Sequence, residues 1–173
     1  DEFEQLLPIL KLSGIEDMTV LSHKHNFKFD IYIDASGSMS DQINLNGRNV
    51  ALYELSRFVA IKLNSLGLIN RIHLFDGRVR LINGVFELMN SSWGGGTNFN
   101  EVIKSIEANN VPAVILTDMC DHISKYQKGA FFIGMQTFRP QASPEVLKSY
   151  EENKQFITFD SKGFRRPKKG VDY

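Results

Sequence analysis

Phe27-Lys28-Phe29-Asp30-Ile31-Tyr32-Ile33, running into Asp34-Ala35-Ser36-Gly37-Ser38, is the stretch from which the fold can be read. Its first seven residues are rich in aromatic and β-branched side chains, which suit a pleated strand. The next five are small, polar turn formers. From about Arg48 to Leu66 the apolar residues Leu52, Leu55, Val59, Leu63 and Leu66 then recur every three or four positions, and Gly67 stands where a helix would end. A strand, a polar loop and one amphipathic helix over 48–66 form the start of a βα unit.

The same alternation continues along the chain. Arg71 to Phe75 reads as a second strand, Asp76-Gly77 as a tight turn, and Val79 to Leu88 as one or two further strand segments in a hairpin at a sheet edge. After Gly94-Gly95-Gly96-Thr97 a helix is expected from Asn98, whose side chain can cap it, with Glu101 in the position of a capping-box partner. Phe99, Val102, Ile103 and Ile106 form its apolar face. Pro112 to Leu116, ending in Thr117-Asp118, and Ala130 to Met135 are continuous apolar runs, as in strands buried on both faces. Ser143-Pro144-Glu145 opens a last helix to about Asn153, and Phe156 to Phe159 is a final strand. Strands alternating with helices predict an α/β fold with a mostly parallel central sheet.

At 173 residues the chain fits one core of ordinary size, and 42% hydrophobic with 23% charged residues excludes a disordered polyelectrolyte. Twenty basic against twenty acidic side chains remove the global field that drives non-specific nucleic-acid binding. No apolar run reaches the roughly 20 residues of a membrane span, and a start with Asp1, Glu2 and Glu4 is unlike a signal peptide. With a single cysteine, Cys120, these features lead us to expect a cytoplasmic protein without membrane contact. Residues 1–26 read as an arm or helix, 27–160 as the domain and 161–173 as a basic tail. Residues 1–20 hold one Lys against five acids, while 161–173 hold five Lys or Arg against one Asp.

In open parallel sheets ligands bind beyond the carboxyl ends of the strands. Asp34, Ser36 and Ser38, then Thr97, then Asp118 each stand at such a place. Carboxylate and hydroxyl oxygens are hard ligands suited to Mg²⁺ or Mn²⁺ rather than Zn²⁺. With only two carboxylates among them, such a site leaves a position at which a partner's Asp or Glu can bind. The same residue types also serve as turns and helix caps.

Asp34-Ala35-Ser36-Gly37-Ser38 resembles the Asp-x-Ser-x-Ser signature of the metal-ion-dependent adhesion site of von Willebrand factor A domains, with Thr97 and Asp118 in the order of the family's second and third loops. The resemblance covers roughly residues 27–160. It implies a Rossmann-like three-layer fold whose mostly parallel sheet has one antiparallel edge strand and helices on both faces. It also implies a site in which the hydroxyls of Ser36, Ser38 and Thr97 approach the ion while Asp34 and Asp118 hold it. Trp93-Gly94-Gly95-Gly96-Thr97-Asn98-Phe99 and the compact spacing look most like the intracellular branch of the family, whose members commonly work beside AAA+ ATPases of the MoxR or chelatase type or in larger scaffolds. One departure stands out: Met119-Cys120-Asp121 follows Asp118 where the family often has Gly.

The expected function is therefore a metal-dependent protein-interaction module, not an enzyme. The competing readings are a metal-dependent phosphoester hydrolase and an RNA-associated protein. Against the first, the glycine loop lacks the Lys of a phosphate-binding loop, and no G-x-S-x-G elbow is present. The second rests on Lys162, Arg165, Arg166, Lys168 and Lys169 of the tail. His23 and His25 alternate as ligands on a strand would, but no second pair accompanies them, and neither His73 nor His122 has an evident acid partner. Cys120 is expected to be an ordinary buried thiol.

Overall fold

The computed structural model describes residues 28–45, 47–135, 141–160 and 163–165. The arm, with His23 and His25, and the tail beyond residue 165 lie outside the described residues. Seven strands form one sheet in the order β5-β4-β1-β6-β7-β8-β9: β1 (Phe29–Asp34), β4 (Ile69–Phe75), β5 (Val79–Ile82), β6 (Ala113–Thr117), β7 (Ala130–Met135), β8 (Phe156–Asp160) and β9 (Gly163–Arg165). The inner five are parallel, while β5 and β9 are antiparallel to their neighbours. Every residue of β1 and of β6 is buried, which explains why β6 reads as an apolar run without polar alternation.

Strand alternation sends successive side chains to two separate cores. Ile31, Ile33, Val114, Leu116 and Ile133 pack with Leu55, Val59 and Leu63 of helix α1 (Leu52–Ser65). Tyr32, Ile115, Phe132 and Phe156 pack with Val102, Ile103 and Ile106 of α3 (Phe99–Asn109) and with Tyr150 of α4 (Pro144–Glu152). Helices thus cover both faces of the sheet. Among the described residues no helix is long and apolar enough to cross a membrane.

Local signals account for the helix ends. At the end of α1, Gly67 has φ 74°, its N–H donates to the Asn64 carbonyl at 3.0 Å, and the Leu68 N–H donates to the Leu63 carbonyl at 3.2 Å. This closes α1 with a paired left-handed cap. Ser143 caps α4 by accepting the Val146 N–H, with Pro144 in the first turn, and Asn98 caps α3 by accepting the Asn100 N–H. Glu101 does not complete a capping box; it pairs with Lys104 at 3.3 Å.

Three expectations need correction. The helix expected over 48–66 begins only at Leu52, because Arg48–Ala51 is strand β3 of a separate two-stranded hairpin with β2 (Gln42–Leu45). Gly47, in the turn before β3, has φ 84°, and Ile43 and Val50 face inward while Asn44 and Asn49 face outward. The strand expected to continue through Leu88 stops at Ile82; Gly84, at φ 93°, turns the chain into the short helix α2 (Val85–Met89). The sheet has two antiparallel edges rather than one, since Gly163–Arg165, read as tail, returns along β8. Three residues are too few to show an alternating pattern.

Candidate metal centre

From β1 the chain builds outward to β4 and β5, then crosses over to β6, β7 and β8 on the other side. The strand order therefore reverses between β1 and β6, and the crevice beyond their carboxyl ends is where such sheets bind ligands. Asp34 ends β1, Thr117 ends β6, and Asp118 follows it.

Asp34 is wholly buried. One carboxylate oxygen accepts the Ser36 N–H at 2.9 Å, and the other accepts the Thr117 hydroxyl at 2.6 Å. Ser36 is also buried, and its Oγ lies 3.2 Å from that of Ser38, which is exposed. Oxygen atoms thus lead from the strand end to the surface. Asp118, 4% exposed, accepts the Cys120 N–H on its Oδ1 at 3.1 Å.

The glycine loop is clasped to this first loop by two backbone bonds. Gly94 N–H donates to the Ala35 carbonyl at 2.7 Å, and Gly37 N–H donates to the Gly95 carbonyl at 3.1 Å. Gly95 has φ 91°, a left-handed backbone that suits glycine. Trp93 leans on Tyr53 of α1 with ring centroids 4.9 Å apart, and Phe99 meets Phe75 and Phe132 edge-on at 6.1 and 5.6 Å. Between these anchors Thr97 is half-buried. Among the described residues it makes no hydrogen bond to Asp34, Ser36, Ser38 or Asp118.

Two residues of the site were not among those expected from sequence to hold the ion. Thr117 accepts the Met119 N–H at 3.1 Å while donating to Asp34, and so ties the ends of β1 and β6 together. Asp121 accepts the Phe99 N–H at 2.8 Å, which pins the third loop to the start of α3. The signal for Thr117 was its place beside Asp118; Asp121 stood out after Met119-Cys120, but its bond to Phe99 did not, because the two are 22 residues apart. Directly after Asp118, Met119 adopts a left-handed backbone at φ 65° with its side chain buried in the core. Such a conformation costs about 1 kcal/mol in a non-glycine residue and is held here by the surrounding bonds.

Burial raises the Asp34 carboxyl to about 6, the charge of Asp118 adds to this, and hydrogen bonds from Ser36 and Thr117 oppose it. Cys120 is exposed rather than buried, because Met119 takes the inward position next to it. Partial desolvation and the nearby Asp118 push its thiol up, so it is not an activated thiolate. His73 lies away from the loops, stacked on Tyr32 at 4.3 Å, while His122 is exposed. Among the described residues no group of three or more His, Cys, Asp and Glu side chains converges. The assembled set is two carboxylates with hydroxyls. That donor chemistry fits a hard divalent cation, whose charge two carboxylates balance.

No protein-family model and no curated protein matches the chain.

Proposed function

We propose that the chain is a von Willebrand factor A-type interaction module, in which Asp34, Ser36, Ser38, Thr97 and Asp118 hold Mg²⁺ or Mn²⁺ and the ion binds an Asp or Glu of a protein partner. The observation that carries this reading is the meeting of Asp34 and the Thr117-Asp118 pair at the strand-order reversal, where buried carboxylates are surrounded by hydroxyl and backbone donors. No cationic side chain pairs with Asp34 among the described residues. A divalent ion would supply the missing positive charge and keep attraction for one more anionic oxygen. The Rossmann-like assignment, the intracellular branch, a cytoplasmic setting and assembly with an AAA+ ATPase of the MoxR type belong to the same reading. A hydrolase is disfavoured because the glycine loop offers no Lys to a phosphate.

Titration calorimetry with Mg²⁺ and Mn²⁺ tests the site: wild type binds, Asp34→Ala does not, and both remain folded by circular dichroism. Unchanged ion affinity in the variant removes the assignment. Capture of a partner from native extract should then be lost in EDTA and restored by Mg²⁺. Metal-dependent phosphoesterase turnover abolished by Ser36→Ala would replace the module with an enzyme.

A further inference from the structure

The edge strand β5 and the groove beside α2 have no part in the candidate metal centre. In β4 the Phe75 carbonyl accepts from Ala35 of the first loop, so alternate β4 residues bond toward β1 while Leu74 and Ile72 bond toward their register partners Arg80 and Ile82. The Asp76 N–H donates to the Arg78 carbonyl at 3.0 Å, which gives the same phase. The peptide groups of Val79 and Leu81 therefore point away from the sheet. The next outward N–H, that of Asn83, is already taken by the Glu87 carboxylate at 2.8 Å.

Among the described residues no strand pairs with this outer edge, and beside it lies a cavity of about 410 Å³ lined by Arg80, Ile82, Phe86 and Glu87 among others. Phe86, 83% exposed, lines this cavity, whereas Leu81, 53% exposed, lies on the opposite face of β5. Arg78 and Arg80 are exposed and make no ion pair among the described residues. The two acids nearby, Asp76 and Glu87, both accept backbone N–H groups.

We infer that β5 binds an extended segment of a protein partner as an added strand, with an acidic residue opposite Arg80 and an apolar residue two positions away in the groove beside Phe86. Side chains two apart on a strand share a face, so both enter the groove while the peptide groups of Val79 and Leu81 close the ladder. In an antiparallel addition Arg80 falls in the non-hydrogen-bonded pair, where cross-strand side chains stand closest and an opposite charge is favoured. A second copy of this chain fits less well. The two-fold register that uses both outward residues of each copy pairs Val79 with Leu81 and sets Arg80 against Arg80.

A displayed library of random twelve-residue peptides selected on the whole chain tests the inference without reference to the metal. Selection in EDTA separates it from the ion site. Recovered peptides should share an acidic residue with an apolar one at the second position before or after it, and the Val79 and Leu81 amides should exchange more slowly with solvent when such a peptide is bound. Leu81→Pro removes only an outward N–H, so it should leave β4 pairing intact and weaken binding about tenfold or more. Arg80→Glu, which does not touch the backbone, should exchange the acidic preference for a basic one. Failure to enrich a motif, peptides that bind Arg80→Glu and Phe86→Ala as they bind wild type, or concentration-dependent self-association abolished by Leu81→Pro would overturn it.

Discussion

Asp30 and Asp34 are four residues apart on the same strand, both wholly buried, and their surroundings are opposite. Near the amino end of β1, Asp30 accepts from the Asn70 amide at 2.9 Å and from the Arg71 guanidinium at 3.2 Å, a structural pair with its charge compensated. At the carboxyl end, Asp34 has the hydroxyls of Thr117 and Ser36 and the Ser36 N–H as partners, no cation among the described residues, and lies near a second carboxylate, Asp118. A buried carboxylate with a cation beside it has its charge compensated, whereas one without it imposes a free-energy cost that a bound cation can relieve. The comparison separates the two acids by role although the strand pattern treats them alike.

The largest expected effect breaks the comparison at Asp34. Since its carboxyl is raised to about 6 from 3.8, the folded ion-free protein holds a proton that the unfolded chain loses between those values. Stability of the ion-free protein therefore falls as pH rises through that window and stays low above it. Asp34→Asn removes the charge, and at pH 8 it should raise ion-free stability by about 3 kcal/mol in urea unfolding while reducing Mg²⁺ affinity more than about 100-fold in calorimetry. A destabilised variant would show that Asp34, like Asp30, is structural.

Arg71→Ala is the converse. It leaves Asp30 buried without its cation and should cost about 2 kcal/mol, with Mg²⁺ affinity unchanged. Altered ion affinity would mean that the two ends of β1 are coupled.

Next come the ligand oxygens. Asp118→Ala should weaken the ion more than Ser36→Ala or Thr97→Ala, each of which removes one neutral oxygen for a loss of about tenfold. An undiminished affinity in Thr97→Ala would remove that residue from the site; it makes no hydrogen bond to the other four among the described residues.

The smallest effect is a pH dependence. Burial lowers His73 from 6.5, so the unfolded chain binds its proton first and stability is lost as pH falls below about 6.5. In wild type the rising contribution of Asp34 masks part of this loss in acid. The Asp34→Asn variant should show it unmasked, and His73→Phe on that background should flatten the profile between pH 5 and 7, to about 1 kcal/mol or less.

The buried strands were legible because strands covered on two faces must be apolar throughout: β6 and β7 lie within a residue of where their runs stand in the sequence. The apolar face of α3 was equally legible from its spacing. The β2–β3 hairpin was missed although Asn46-Gly47 announces it, because the helical repeat downstream was extended back over Arg48 to Ala51. For the loops, Asp34, Ser36 and Asp118 could be named from residue type and position, but their burial and hydrogen bonds could not.

What the sequence determined by itself is therefore local: period, turn chemistry, caps, and the residue types at the ends of strands. The tertiary structure alone decided that Thr117 would bond to Asp34 across 83 residues, that Asp121 would cap α3, and that Cys120 would face outward while Met119 took the strained backbone beside it. It also decided which of two identical buried acids meets an arginine. Period and propensity act between near neighbours, whereas the surroundings of a buried charge are set by strand order and register, which bring together residues that no short stretch of sequence contains.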